Sequence, residues 1–371
     1  MAEYRYHLYD LASGVRIDTL PLEQVTYSRE MRGVGSLRGQ LPMYGDGLTA
    51  ARVLQATIPD HTKIFVERDN ALVWGGRLVP PRSYDSASGM LSVTAEETIG
   101  AFASRYLPTL SFLGADQFDI ARALLSTPQA DSGGNMGVGA TAGLSGVLRD
   151  RNYNAADQTV VLTALTELSE VENGFEFATQ TVWSGGAPAE TVLLGYPRLG
   201  RAGADSGLVL EYDAFGGGGN IVSYTWDDGP GLFTRSWAST ETDEGVQLTA
   251  SATNSALLGQ GYPLLEQSQQ FDGITNLATL QAHANALSAF AGGHHVTAKV
   301  TVMAQPGVEV GDWQLGDEAL VRISDWRFPP DPGAGTPGYA GYMRIMEVQV
   351  TPGAEGDEQY DFTMGDMLES L

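Results

Sequence analysis

The chain has 371 residues, with 21 Lys and Arg against 45 Asp and Glu, a formal net charge of −24, and no cysteine. At roughly 100–200 residues per domain this length predicts two or three domains, and 43% hydrophobic content supplies their cores. The missing cysteine excludes disulfide scaffolds, thiolate catalysis, iron–sulfur clusters and Cys-based zinc sites. The charge excludes a general surface that grips nucleic acid and disfavours docking on anionic lipid.

Lys63 and Lys299 are the two lysines; with 46 glycines and arginine elsewhere, the composition reads as that of a GC-rich genome. Met1–His7 lacks the apolar core of a secretory signal, and no apolar run approaches the 18 or so residues that span a bilayer, so a soluble protein made in a cytoplasm is expected.

The first hundred residues read as strands. Tyr4–Asp10 alternates, Ser13-Gly14 turns, and Val15–Leu20 follows. Lys63–Glu67 and Ala71–Val79 flank an Asp69-Asn70 hairpin turn, and Ser83–Asp85 and Met90–Ala95 flank the longer Ser86-Ala87-Ser88-Gly89 loop. Glu97–Tyr106 reads as a short helix stopped by Pro108.

After Pro108 the period changes. Asp116–Ser126 carries an apolar helical stripe with Asp116 as N-cap, and Asp131–Leu144, rich in glycine, reads as a mobile loop. Asp157–Val171 is the clearest helix, ended by Asn173-Gly174, and Phe175–Val182 alternates as a strand. Strand patterns return at Leu208–Tyr212, Ile221–Trp226, Phe233–Ser239 and Val246–Ser251. One helix, about 276–291, interrupts them before a Gly292-Gly293 stop. Val296–Met303, Glu318–Ile323, Tyr339–Val350 and Gln359–Met364 complete the set. The fold class is β-rich α+β, divided as 1–108, an α/β middle of 109–200, and 201–371 with the inserted helix.

No catalytic, cofactor-binding or metal-binding residue emerges. Phe215-Gly216-Gly217-Gly218-Gly219-Asn220 lacks the Gly-Lys-Ser/Thr end of a phosphate loop and reads as a strand connection. His294-His295 are adjacent before a strand and so face opposite ways, without nearby carboxylates; His283 reads as a helix-surface residue, and His7 and His61 stand alone. Adjacent Glu96-Glu97 cannot share one strand face, nothing singles out a hydrolytic carboxylate pair, and no Gly-x-Ser-x-Gly elbow occurs. The stretch Gly311-Asp312-Trp313-Gln314-Leu315-Gly316-Asp317-Glu318 uses glycine for a tight corner before a strand. Trp74, Trp183, Trp226, Trp237, Trp313 and Trp326 are spread among strands, where core or interface roles are commoner than sugar stacking. An enzyme is not expected.

The opening Tyr4-Arg5-Tyr6, then Leu8-Tyr9-Asp10, the Gly14-Val15-Arg16 turn, Leu20-Pro21-Leu22 and Val25-Thr26-Tyr27-Ser28-Arg29 resemble minor tail proteins of long-tailed bacteriophages of actinobacteria. So do Gly33–Pro42, Gly219-Asn220-Ile221, Tyr262-Pro263-Leu264-Leu265-Glu266, Thr279-Leu280-Gln281 with Ala284, and Gly316-Asp317-Glu318-Ala319-Leu320-Val321. The resemblance implies a baseplate or tail tip hub: a homotrimer whose subunits each carry two tail-tube-like β-barrels, forming a pseudo-sixfold ring. It implies the distal tail protein, the tape measure protein and other tip or fibre proteins as neighbours, and a channel that DNA crosses without specific binding. It carries over no catalytic residue, and the end at Leu371 leaves no hydrolase or fibre extension expected. The alternatives are the distal tail protein, a hexameric ring, or a receptor- or cell-wall-binding tail protein.

Overall fold

In the computed structural model, residues 2–45, 47–228, 232–241, 245–271, 274–291, 296–330, 333, 335–336, 338–353 and 357–365 are described. β1 (Tyr4–Asp10) and β2 (Arg16–Thr19) flank the Ser13-Gly14 turn, and β3 (Glu23–Glu30) pairs antiparallel with β4 (Ser36–Pro42). A short helix α1 (Ala50–Ala56), capped by the Thr49 hydroxyl, leads to β5 (Thr62–Arg68), β6 (Ala71–Asp85) and β7 (Met90–Glu96). Asp69 and Asn70 turn β5 into β6 at φ 50° and 68°, the two left-handed residues that match a tight hairpin to strand twist.

The helix expected over Glu97–Tyr106 is instead a shorter 3-10 turn, Thr98–Ser104. Arg105 leaves the helical region because its carbonyl accepts from Val161 N at 2.9 Å, and Tyr106 bridges to Val160.

The middle holds β8 (Leu110–Asp116), α2 (Gln117–Gln129), β9 (Val138–Ala140), β10 (Leu148–Tyr153), α3 (Val161–Ser169), β11 (Glu176–Ser184) and β12 (Ala187–Gly195). Asp116 caps α2 as expected, accepting from Phe118 N at 2.8 Å. The α3 helix starts later than Asp157 because Gln158 sits at φ 52° and breaks the chain direction. The loop expected over Asp131–Leu144 contains β9, which pairs parallel with Glu190–Val192. The Gln129 side chain holds β9 in place, donating to Val138 O at 2.8 Å and accepting from Met136 N and Val138 N.

The last part holds β13 (Val209–Asp213), β14 (Ile221–Asp227), β15 (Arg235–Glu241), β16 (Gln247–Thr253), α4 (Ser255–Gly259), β17 (Glu266–Gln270), α5 (Leu277–Ala291), β18 (Thr297–Met303), β19 (Glu318–Ser324), β20 (Tyr339–Thr351) and β21 (Gln359–Gly365). The inserted helix therefore lies where its period places it.

The strands expected to make two barrels join in one 13-stranded sheet, β14-β18-β21-β20-β3-β4-β7-β6-β5-β1-β2, with β19 on β20 and β13 on β19. The joint is β20 against β3, with Val350 opposite Tyr27 and Val348 opposite Arg29. No closed ring of strands is found among the described residues; β13 and β14 share no strand ladder, and touch through the rings of Tyr212 and Tyr224, with an isolated Tyr212–Gly219 bridge just before β14. Period-2 alternation puts Ala298, Val300 and Val302 of β18 and Tyr360, Phe362 and Met364 of β21 inside. These pack in one core with Tyr27, Leu37, Ile64, Val66 and Trp74 from the other end of the chain. A second core lies under α2 and α3 in the middle region, drawing Ile99 and Phe102 from the 3-10 turn. A third, small core joins α5 to the separate sheet β16-β15-β17 through Ala238, Ala250, Phe271, Leu280 and Ala284.

Candidate functional surfaces

Buried ion pairs fasten the middle region to the large sheet. Arg344 of β20 grips both oxygens of Glu176 at the start of β11, and donates to Gly316 O at 3.0 Å and Leu199 O at 2.7 Å. Lys63 of β5 pairs with Glu190 of β12 and donates to Met136 O at 2.6 Å. Arg29 of β3 donates to Thr179 O, and Phe177 O accepts from Arg32 N. Charges this deeply buried hold only with well-aligned partners, so these pairs mount the middle region on the large sheet.

Where they meet, a cleft of about 420 Å³ opens between Tyr27, Leu72, Gln180, Thr181, Leu199 and Trp313. Beside it Glu358 accepts from Arg68 Nε and Nη2, both at 2.8 Å, and from the Tyr4 and Tyr360 hydroxyls. Burial opposes ionisation of Glu358, but these donors outweigh it and hold the carboxyl below its ordinary range.

The residues singled out by sequence scatter. The 215–220 stretch connects β13 to β14, its turn formed by Asp213, which accepts from Phe215 N and Gly216 N. Asn220 stitches its own strand to Val209 and Glu211. His7 is buried between Thr19 and Glu67, and His61 is exposed beside Asp10. The expectation for His283 is corrected: it is fully buried, its ring 4.0 Å from that of Phe271, and neither ring nitrogen has a partner among the described residues. Helical period places it on the face with Leu280 and Ala284, which the small sheet covers. His294 and His295 lie outside the described residues.

Glu96 pairs with Arg77, whereas Glu97 turns inward and accepts from Gly35 N at 2.9 Å. Burial lifts the Glu97 carboxyl to about 8, against the pull of Arg29 and of that hydrogen bond. The 311–318 corner packs as expected: Asp317 is buried and accepts from Arg201 N and Gln314 N. Among the described residues no group of three or more His, Asp and Glu gathers at metal-binding distance.

The tryptophans divide. Trp74 and Trp313 are core residues, Trp183 packs edge-on to His7, and Trp226 meets Phe328 and Tyr339. Trp326 is 89% exposed at a loop tip, and Trp237 lies open on the small sheet. Two ends of the large sheet, β2 and β14, carry exposed Ile17 and Val222, and Val15 is exposed just before β2. Such open edges are ready-made pairing sites. Sequence reasoning missed them because strand order is not a local property.

No family model and no curated protein sequence matches the chain. Solved structures do. The tail protein from Neisseria meningitidis MC58 aligns with a TM-score of 0.61 at 14% identity, covering 98% of this chain and 96% of that one. The 43 kDa tail protein of prophage MuSo2 from Shewanella oneidensis aligns at 0.57 and 11% identity, covering 98% and 96%. The prophage tail protein gp18 from Listeria monocytogenes EGD-e aligns at 0.55 and 10% identity, covering 99% and 95%. The fold of this chain is that of phage tail proteins.

Proposed function

We propose that the chain is a structural subunit of a virion, placed at the distal end of a phage tail as a tip hub. The observation that supports this reading is the end-to-end likeness of its fold to phage tail proteins, which leaves almost no part of either chain over. In this reading three copies form a ring, and the arcs from 1–108 and 201–371 serve as two tube-like units per copy, with 109–200 between them. The ring passes from the sixfold tube and distal tail protein to threefold tip or fibre proteins and surrounds the tape measure protein. The bare edges at β2 and β14 are the surfaces on which neighbouring copies or tube subunits would add strands.

The net charge of −24 fits a conduit whose inner wall repels phosphate, so that DNA passes without sticking. Acidic residues then outnumber basic ones on that wall; a basic wall would refute the conduit. The role is mechanical, with no catalytic step assigned. Electron microscopy of the tail tip tests it. A threefold ring of this chain establishes the hub, a sixfold ring moves it to the distal tail protein, and a place on peripheral fibres overturns both.

A further inference from the structure

The small sheet β16-β15-β17 has one face under α5 and the other open. On the central strand Ser236, Ala238 and Thr240 point inward and are buried, so Arg235, Trp237, Ser239 and Glu241 point outward. The register brings Ser251 and Ser268 to either side of Trp237, Thr249 and Gln270 to either side of Ser239, and Thr253 and Glu266 to either side of Arg235. This outward face thus carries one aromatic ring among hydroxyl, amide and carboxylate groups.

The ring is held in one orientation. Trp237 Nε1 donates to Glu266 Oε1 at 3.0 Å, a residue two positions back along β17 from its direct neighbour. That bond ties the indole to β17, and Trp237 remains 36% exposed. Glu266 also pairs with Arg235 at 3.2 Å, and Arg235 Nε donates to the Thr253 hydroxyl at 2.9 Å. The two charges beside the ring therefore cancel, and the further carboxylate on this face is Glu241, at the end of the strand.

We infer that this face binds a neutral polysaccharide. A sugar ring offers an apolar flank of C–H groups for the indole and a rim of hydroxyls that donate and accept. Trp237 supplies the first surface, while Ser251, Ser268, Gln270 and the free capacity of Glu266 supply the second. A protein partner fits poorly, because covering this many hydroxyls and amides without matched partners costs desolvation that one aromatic ring does not offset. A polyanion meets the field of an acidic chain with one already engaged arginine. The seven-residue central strand spans roughly 23 Å, room for several sugar units in a row. This site stands apart from the hub reading and holds whichever ring the chain forms.

Affinity electrophoresis of the full chain in native gels containing dextran, laminarin or arabinogalactan tests it, with polygalacturonate as the anionic control. Retardation is expected in at least one neutral gel and not in the control. Trp237→Ala weakens it by roughly tenfold or more at unchanged melting temperature. Trp326→Ala, in the connection between β19 and β20 of the large sheet, leaves it intact. Should Trp237→Ala fail to fold, Ser268→Arg on the same exposed face abolishes retardation without touching the core. No retardation in any neutral gel, retardation of the Trp237 and Ser268 variants equal to that of the parent chain, or dissociation of an oligomer by Trp237→Ala each overturns the proposal.

Discussion

Two buried titratable side chains make the residue scale measurable. Glu97 is protonated in the folded chain up to about pH 8, because burial penalises its charge more than Arg29 and Gly35 N favour it. An acid whose folded pKa lies above its unfolded value binds more protons when folded, so stability falls as pH rises from about 4.5 to 8. Glu97→Gln keeps an oxygen for Gly35 N and removes that loss. Its advantage over the parent in denaturant titrations grows by on the order of 3 kcal/mol between pH 4.5 and 7. His283 has the opposite sign: burial, then the charges of Arg151 and Arg149, push its ring down to about 2. The folded chain keeps it neutral while the unfolded chain protonates it below about pH 6.5, so acid favours unfolding. His283→Leu therefore gains on the parent by about 2 kcal/mol as pH falls from 7.5 to 5, read as a widening gap in urea midpoints. Neither behaviour is legible in the sequence, where Glu97 is one acid beside another and His283 one polar residue in a helix.

At the scale of elements, local signals succeeded where a segment's neighbours in sequence are also its partners. The β5–β6 hairpin needed only Asp69-Asn70, and α2 only its Asp116 cap and apolar stripe. They failed where the partner is remote: β9 exists because β12 pairs with it, and the 3-10 turn ends because Val161 takes the Arg105 carbonyl. The corner before β19 combines both. Gly316 (φ +86°) and Gly200 (φ +81°) press backbone on backbone, and a Cβ on Gly200 would lie 2.1 Å from Gly316 C. Gly200→Ala is expected to lower stability by about 3 kcal/mol or more. Gly307→Ala, at φ +88° with nothing within 4 Å, bears only the backbone strain of about 1–2 kcal/mol. Equal melting shifts for the two would refute the close approach.

For the whole molecule, the joint between β3 and β20 makes the two ends of the chain one folding unit. A fragment 1–108 loses β20 from the edge of β3 and exposes Tyr27 and Val25, which share the core with Val348 and Val350. It is expected to melt without a cooperative transition and to bind hydrophobic dye, whereas the full chain melts sharply; a sharp transition in the fragment would refute a shared core. The strand and helix content, the α/β change of character after Pro108, the inserted helix and the absence of cysteine chemistry belong to the sequence by itself. Each rests on composition or on a period of two or 3.6 residues. The tertiary structure alone decided that both ends build one open sheet, that buried Arg344–Glu176 and Lys63–Glu190 pairs mount the middle upon it, and that Trp237 lies outward while Trp74 and Trp313 lie within. The physical reason is range: hydrogen bonding along a strand and apolar period are written in neighbouring residues, whereas strand order, charge pairing and exposure depend on contacts between residues more than a hundred positions apart.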